Sequence, residues 1–185
     1  MSNNRMWKFL EGPVDQVAPR LLGCELVRTI EGQTVRARIV EVEAYDQTDM
    51  ASHTYRGMTA RNAAMFGPAG RLYVYFTYGM HYCCNVVAGN EGHGAGVLIR
   101  AVEPLEGEAI MTANRQGRGG KQLANGPGKV CQALQIDLAF NGHDLASEPV
   151  RLIERPPLPP DQVIATPRIG IRHAVDVPWR FVIKP

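Results

Sequence analysis

The run Arg38–Tyr45 constrains this chain most, because it has the composition of a β-strand, carries two carboxylates and ends on an aromatic residue. Side chains alternate between the two faces of a strand. One face would hold Ile39, Glu41, Glu43 and Tyr45, and the other Val40, Val42 and Ala44. We expect the apolar face to pack into the core and the other face to hold a water molecule or to accept a proton. The pattern also fits a half-exposed strand whose glutamates only face solvent.

Two pairs of β-rich runs predict hairpins. The first pair is Cys24–Thr29 with Thr34–Val40, and the second is Leu72–Thr77 with Tyr82–Val87. The second tip is unusual, because it carries Tyr78 and Met80, and large apolar side chains gain nothing from exposure at a turn. Either this tip packs under another segment, or the two side chains form a wedge that enters a DNA base step.

Two further residues stand out from their surroundings. Arg100 lies in the apolar part of a strand-like run, Val97–Pro104, and a buried arginine needs a partner that a strand glutamate would supply. His53 lies in the polar loop after Tyr45, where functional groups often collect, although a lone loop histidine is more often a surface residue.

Short helices are predicted at three places, Val14–Leu22 with an end near Pro19, Gly107–Asn114 and Lys129–Leu134. The glycine-rich loop before the last helix contains Arg115, Arg118 and Lys121, a composition suited to a phosphate backbone but also common in mobile loops. Beyond residue 150, short strands alternate with proline-rich turns, and Arg168–Arg172 is one of these predicted strands.

Length and composition indicate one folded domain over residues 1–185, without a segment long and apolar enough to span a membrane. No apolar signal segment opens the chain, so we expect a cytoplasmic protein. The net charge of +2 does not by itself indicate a nucleic-acid partner. Four cysteines without CxxC spacing are expected to be reduced core thiols, namely Cys24, Cys83, Cys84 and Cys131.

Several of these motifs, in this order, resemble the alkyladenine, or 3-methylpurine, DNA glycosylases. The matching segments are Ile39–Tyr45, Ala51–His53, Arg61–Phe66, Leu72–Met80, Arg100–Pro104 and Gly126–Leu134. The resemblance implies a single α+β domain with a curved, mainly antiparallel β-sheet, flanking helices and a protruding β-hairpin that inserts into DNA. It also implies a monomer that flips and excises alkylated or deaminated purines, such as 3-methyladenine, hypoxanthine and ethenoadenine, from duplex DNA. This reaction starts base-excision repair and uses neither a metal nor an organic cofactor.

The resemblance also assigns roles to single residues. Glu43 would be the general base, and Arg100 would help it to hold the nucleophilic water. The base pocket would contain Tyr45, His53, Tyr75, Asn85 and Cys83. Asn85 would screen against the amino group of guanine. Tyr78 would intercalate where the nucleotide has left, with Met80 beside it, and the DNA backbone would contact Arg61, Arg115, Arg118 and Lys121. The chain departs from the family pattern at His81 and at Ala63–Ala64, so its DNA affinity or lesion range is expected to differ.

Hydrolysis of the bond between an alkylated purine and its sugar needs only one principal carboxylate. An alkylated purine is already cationic and leaves readily, so one carboxylate that activates water and balances the oxocarbenium charge is sufficient. Electron-rich rings would favour that cation over a normal base. Glu41 is expected to support Glu43. Lysines are few and none lies in the glutamate strand, so we expect a water nucleophile and no lyase step.

Two alternatives remain at this point. The first is a catalytically inactive DNA-binding module of the same fold. The second is a metal-dependent hydrolase that uses Glu41, Glu43, His53, His81 and His93. The absence of a compact ligand spacing disfavours the second.

Overall fold

The computed structural model describes residues 6–185, so the first five residues of the predicted domain lie outside it. These residues form an α+β fold in which one curved antiparallel sheet packs against short helices. The strands are β1 Glu25–Ile30, β2 Gln33–Tyr45, β3 Leu72–Thr77, β4 His81–Val87, β5 Gly96–Glu106, β6 Val150–Ile153, β7 Val163–Thr166 and β8 Arg180–Ile183. The α-helices are α1 Val14–Leu21, α2 Glu108–Asn114 and α3 Pro127–Ala133.

The sheet places β2 at its centre. The strand order is β3-β4-β5-β2-β1-β6, and β8, which pairs with β7, also pairs with the last part of β2 at Glu41–Glu43. β5 accompanies β2 from Arg36 to Tyr45 on the other edge. The glutamates therefore lie on a strand that has neighbours on both edges, which holds their side chains firmly. The predicted α+β class with a curved antiparallel sheet and both predicted hairpins are confirmed, whereas insertion of the second hairpin into DNA stays a prediction.

A bulge at Val40 changes which residues of β2 face the core. The pairing of β2 with β5 skips Val40, and an extra residue in one strand moves the side chains that follow it to the other face. Ile39 is therefore fully buried in the core, whereas Val40 is only partly buried. The prediction that Ile39 shares the carboxylate face is wrong, and Val42 and Ala44 lie in the core as expected.

The helices complete one hydrophobic core with the strands. α1 follows Pro13 and ends at Leu21, so Pro19 lies in its last turn. All four cysteines are buried and free, as predicted. No helix within residues 6–185 reaches the length and apolarity that a bilayer crossing requires.

The segment Arg168–Arg172 is an irregular loop between β7 and β8, not the predicted strand. Gly170 has φ +75, which takes the backbone out of the extended region. The loop instead reaches the carboxyl end of β2, where the amide of Ile169 contacts the side chain of Glu43.

Candidate active site

A cavity of about 600 Å³ opens at the carboxyl end of β2, where four strands and two loops meet. The strand residues on its walls include Tyr45, Tyr73, Tyr75, Cys83, Asn85 and Arg100. The loop after β2 contributes Met50 and His53, and the loop before β8 contributes Ile169 and its neighbours. The structure thus brings all five predicted base-pocket residues to one cavity, of a size typical for a small-molecule ligand.

The carboxylate of Glu43 lies directly behind this wall and is fully buried. Its Oε2 accepts a hydrogen bond of 2.7 Å from the hydroxyl of Tyr45, and its Oε1 accepts one of 2.8 Å from the amide of Ile169. Nη1 of Arg100 lies 3.4 Å from Oε2. Two hydrogen-bond donors and one guanidinium group, all three on residues that also line the cavity, therefore orient a buried carboxylate, which is the arrangement a positioned base requires.

Arg100 and Glu41 form the second part of this ionic cluster. The β2–β5 pairing skips Arg100, and its Nε lies 3.3 Å from Oε1 of Glu41. Arg180 on β8 contacts the same oxygen at 2.6 Å. The predicted pairing of Arg100 with a strand glutamate is confirmed. Glu41 thus pairs with two guanidinium groups and shares that of Arg100 with Glu43, whereas the Tyr45 hydroxyl and the Ile169 amide donate to Glu43.

Aromatic side chains form the adjoining wall. The ring of His53 meets that of Tyr75 edge-on at a centroid distance of 4.5 Å, and its Nδ1 lies 3.1 Å from the hydroxyl of Tyr73. Partial burial, with a smaller effect of the Arg61 charge, lowers the pKa of His53. The imidazole is therefore neutral at neutral pH. Burial raises the pKa of Tyr75, so its hydroxyl stays protonated.

Asn85 and Cys83 lie two positions apart on β4, so their side chains share one face of the strand, but they contact different groups. The amide Nδ2 of Asn85 donates a hydrogen bond of 3.2 Å to the carbonyl of Tyr73. Cys83 lies opposite Tyr75 in the hairpin, and burial raises the pKa of its thiol to about 11. Both side chains are uncharged at neutral pH, so this part of the wall is polar but neutral.

The tip of the β3–β4 hairpin points its large side chains into solvent. Tyr78 and Met80 are 83% and 68% exposed, so the alternative in which the tip packs under another segment is wrong. The amide of Met80 donates to the carbonyl of Thr77 at 3.2 Å, and Tyr78 and Gly79 have φ of +52 and +66. These are the angles of a tight hairpin turn. Tyr78 also borders the cavity.

The basic residues that were predicted to contact the DNA backbone separate into two groups. Arg61, Arg118 and Lys121 are exposed, and Arg61 donates to the carbonyl of Phe76 at 3.1 Å. Arg115 is buried, with 4% exposure, and donates to the carbonyls of Leu123 and Gln122 and to the side chain of Gln132. The prediction for Arg115 is corrected, because its guanidinium holds the loop together from inside.

Sequence reasoning missed the loop before β8. The amide of Ile169 contacts Glu43, and the buried pair of Arg168 and Asp49 lies behind Tyr45. The only signal in the sequence was the run Arg168–Arg172, in which two isoleucines flank a glycine and an arginine stands at each end. The same pattern is typical of a short strand. Tyr73 was also missed, although it lies two residues before Tyr75 on the same strand face.

Comparison with known proteins agrees with this geometry. Residues 8–185 match the sequence model of the family described as Methylpurine-DNA glycosylase (MPG). A protein of Methanoculleus marisnigri is 50% identical over 179 residues, which cover 95% of this chain and 93% of that protein. One of Carboxydothermus hydrogenoformans is 49% identical over 169 residues, which cover 91% and 88%. One of Streptomyces avermitilis is 48% identical over 182 residues, which cover 95% and 85%. Each is named "Putative 3-methyladenine DNA glycosylase". Because the family match and these relatives extend over nearly the whole sequence, the chain belongs to the methylpurine-DNA glycosylase family.

Proposed function

We propose that this chain is a monofunctional DNA N-glycosylase that removes alkylated or deaminated purines from duplex DNA and so starts base-excision repair. The observation that carries the proposal is the buried Glu43 carboxylate, which Tyr45, Ile169 and Arg100 hold at the wall of an aromatic cavity. The names of the relatives point to 3-methyladenine, and the resemblance to the alkyladenine DNA glycosylases extends the proposal to hypoxanthine and ethenoadenine.

Glu43 acts as the general base in this reaction. It takes a proton from a water molecule as the water oxygen bonds to C1′ of the deoxyribose, and the C1′–N bond breaks with its electron pair going to the purine. Arg100 helps to hold that water. The negative carboxylate also balances the positive charge that develops on the sugar. A purine alkylated at a ring nitrogen leaves as a neutral base without further protonation.

The walls of the cavity select the base. Tyr45, His53 and Tyr75 enclose the flipped purine, and the faces of electron-rich rings attract a cationic base more than a neutral one. A neutral His53 supports this preference, because a protonated imidazole would repel the cation. Asn85 screens against the exocyclic amino group of guanine, and Cys83 lines the pocket beside Tyr75.

The hairpin tip stabilises the flipped state. Extrusion of a nucleotide costs a few kcal/mol, less at a damaged base pair, and a side chain that fills the vacated position recovers part of the lost stacking. Tyr78, which borders the cavity, and Met80 beside it at the hairpin tip are exposed apolar residues that suit this role. Arg61, Arg118 and Lys121 contact phosphates, and the partner is double-stranded DNA with a damaged purine.

The proposed enzyme is a monomeric single domain that uses water as its nucleophile, needs neither a metal nor an organic cofactor, and acts on DNA in the cytoplasm. The described residues that line the cavity include no lysine, so no amine there could form a Schiff base with the sugar. Borohydride would therefore trap no covalent adduct with DNA. Base release that persists in excess chelator would exclude the metal-dependent alternative, whereas loss of base release would favour it.

The test is single-turnover base release from duplexes that carry 3-methyladenine, ethenoadenine or hypoxanthine. The native chain should release at least one of them. Glu43→Gln should slow release by roughly 10²- to 10⁴-fold while it still binds the duplex. Glu41→Gln serves as the matched control on the same strand and should lose less activity. Tight binding of every lesion without release by the native chain would favour the inactive DNA-binding module instead.

A further inference from the structure

A buried arginine behind the cavity, Arg168, adjoins the two groups that donate hydrogen bonds to the Glu43 carboxylate. The side chain of Arg168 is fully buried, and its Nη1 donates to the carbonyl of Ala44 at 2.9 Å and pairs with the buried Asp49. Arg168 lies outside the set of residues that line the cavity, and the mechanism above does not use it. A buried charge of this kind is costly unless every contact is well made.

The guanidinium of Arg168 lies between two aromatic rings. Its central carbon is 4.8 Å from the ring centroid of Tyr45 and 5.4 Å from that of Trp179. Within residues 6–185, its Nε and Nη2 have no hydrogen-bond partner. The faces of the two rings compensate for the missing acceptors, because aromatic faces attract cations. The contact fixes the ring of Tyr45 from behind the cavity wall.

The same arginine also fixes the backbone on both sides of the carboxylate. The next residue, Ile169, donates its amide to Oε1 of Glu43 at 2.8 Å. Asp49, the partner of Arg168, belongs to the loop after β2, where its Oδ1 accepts a hydrogen bond of 2.9 Å from the amide of Ala51. One side chain thus connects the loop that carries His53 with the loop that carries Ile169.

We propose that Arg168 is a positioning residue for Glu43. It sets the plane of Tyr45, whose hydroxyl donates to Oε2, and the place of the Ile169 amide, which donates to Oε1. The planar guanidinium can contact two rings, a carboxylate and a carbonyl at once, and lysine cannot reproduce this geometry. The inference rests on the proposed function, since it concerns the base of that reaction.

The first measurement compares Arg168→Met and Arg168→Lys with the native chain in single-turnover base release at saturating enzyme. Misplacement of a catalytic group by about 1 Å can cost on the order of 100-fold, so we expect a loss of about that size for Arg168→Met. Arg168→Lys should recover only part of the rate. DNA affinity should remain near the native value in both.

The matched control is Arg28→Met. Arg28 is also buried, and its guanidinium carbon lies 4.7 Å from the ring centroid of Phe140, but it lines no part of the cavity.

The second measurement is a double-mutant cycle with Tyr45→Phe. If Arg168 positions the hydroxyl of Tyr45, Tyr45→Phe should slow base release little further in a chain that already carries Arg168→Met. The effects of Tyr45→Phe and Arg28→Met on the rate should instead be additive. Should Arg168→Met fail to fold, Arg168→Lys takes its place in the cycle. Additive effects, or native rates in the Arg168 variants, would overturn the inference and leave the proposed function intact. No release from any lesion by the native chain would overturn both.

Discussion

The hydroxyl of Tyr45 donates a hydrogen bond of 2.7 Å to Oε2 of Glu43, two positions earlier on the same strand. Burial, followed by the negative charge of Glu43, raises the pKa of Tyr45, so the hydroxyl remains a donor throughout the neutral range. Tyr45 therefore combines two tasks, because its ring lines the cavity while its hydroxyl orients the proposed base.

Replacing Tyr45 with phenylalanine separates these two tasks. The ring stays in the wall, but Glu43 loses one of its donors. A hydrogen bond to a charged group contributes about 1.5–3 kcal/mol, so single-turnover base release should slow by about 10- to 100-fold with little change in DNA affinity. Tyr45→Leu is the complementary variant and should also weaken lesion binding. A native rate for Tyr45→Phe would show that this hydrogen bond does not contribute to the reaction.

Cys83 should react slowly with iodoacetamide, although it lines an open cavity. Burial raises its pKa to about 11, above the ordinary value of 9.0, so the thiol form dominates at neutral pH and the reactive thiolate appears only as the pH approaches the raised value. Alkylation of the folded chain, followed by peptide mass spectrometry, should therefore increase steeply between about pH 9 and about pH 11. The urea-unfolded chain serves as the control. Rapid labelling of Cys83 in the folded chain at neutral pH would contradict the protected thiol.

Tyr78→Ala should weaken capture of the flipped nucleotide more than it alters the chemical step. Tyr78 is 83% exposed, so its removal leaves the core unchanged. Loss of one aromatic stacking contact should reduce affinity for the lesion duplex by about 10-fold, while single-turnover release at saturating enzyme stays near native. Leu138→Ala is the control, since Leu138 is an exposed apolar residue that lines no part of the cavity. If release at saturation fell as far as in Glu43→Gln, the separation of flipping from chemistry would be wrong.

Local patterns predicted most of the strands, both hairpins and the ionic partner of Arg100, but wrongly predicted a strand at Arg168–Arg172. The successes depend on side-chain alternation and on the cost of an unpaired buried charge, which act within a few residues or between adjacent strands. Local patterns did not predict the Ile169–Glu43 contact. It joins residues 126 positions apart and depends on how the loop before β8 packs against β2 in the folded chain. Nor did they predict the bulge at Val40, since no glycine or proline there distinguishes it from a regular strand. Composition alone also could not separate buried from exposed arginines in the loop after α2.

The last prediction concerns that loop, where Arg115 and Arg118 lie three residues apart. Substitution of Arg118 should affect DNA binding, whereas substitution of Arg115 should affect the stability of the fold. Arg118 and Lys121 are exposed, so Arg118→Gln with Lys121→Gln should leave the free energy of unfolding near native. The slope of DNA affinity against salt should fall by roughly one for each phosphate contact removed. Arg115→Gln should instead leave that slope unchanged. It should lower the free energy of unfolding by about 1–3 kcal/mol, because the carbonyls of Leu123 and Gln122 lose their buried donor.

Urea unfolding and DNA titrations over a salt series measure the two effects on the same samples. A salt slope that stays native in the Arg118 and Lys121 variant would remove this loop from the DNA interface. A reduced slope in a fully folded Arg115→Gln variant would mean that Arg115 leaves its carbonyl partners to reach a phosphate. The loop would then rearrange on DNA, because the buried guanidinium can reach a phosphate only if its contacts with Leu123, Gln122 and Gln132 are broken.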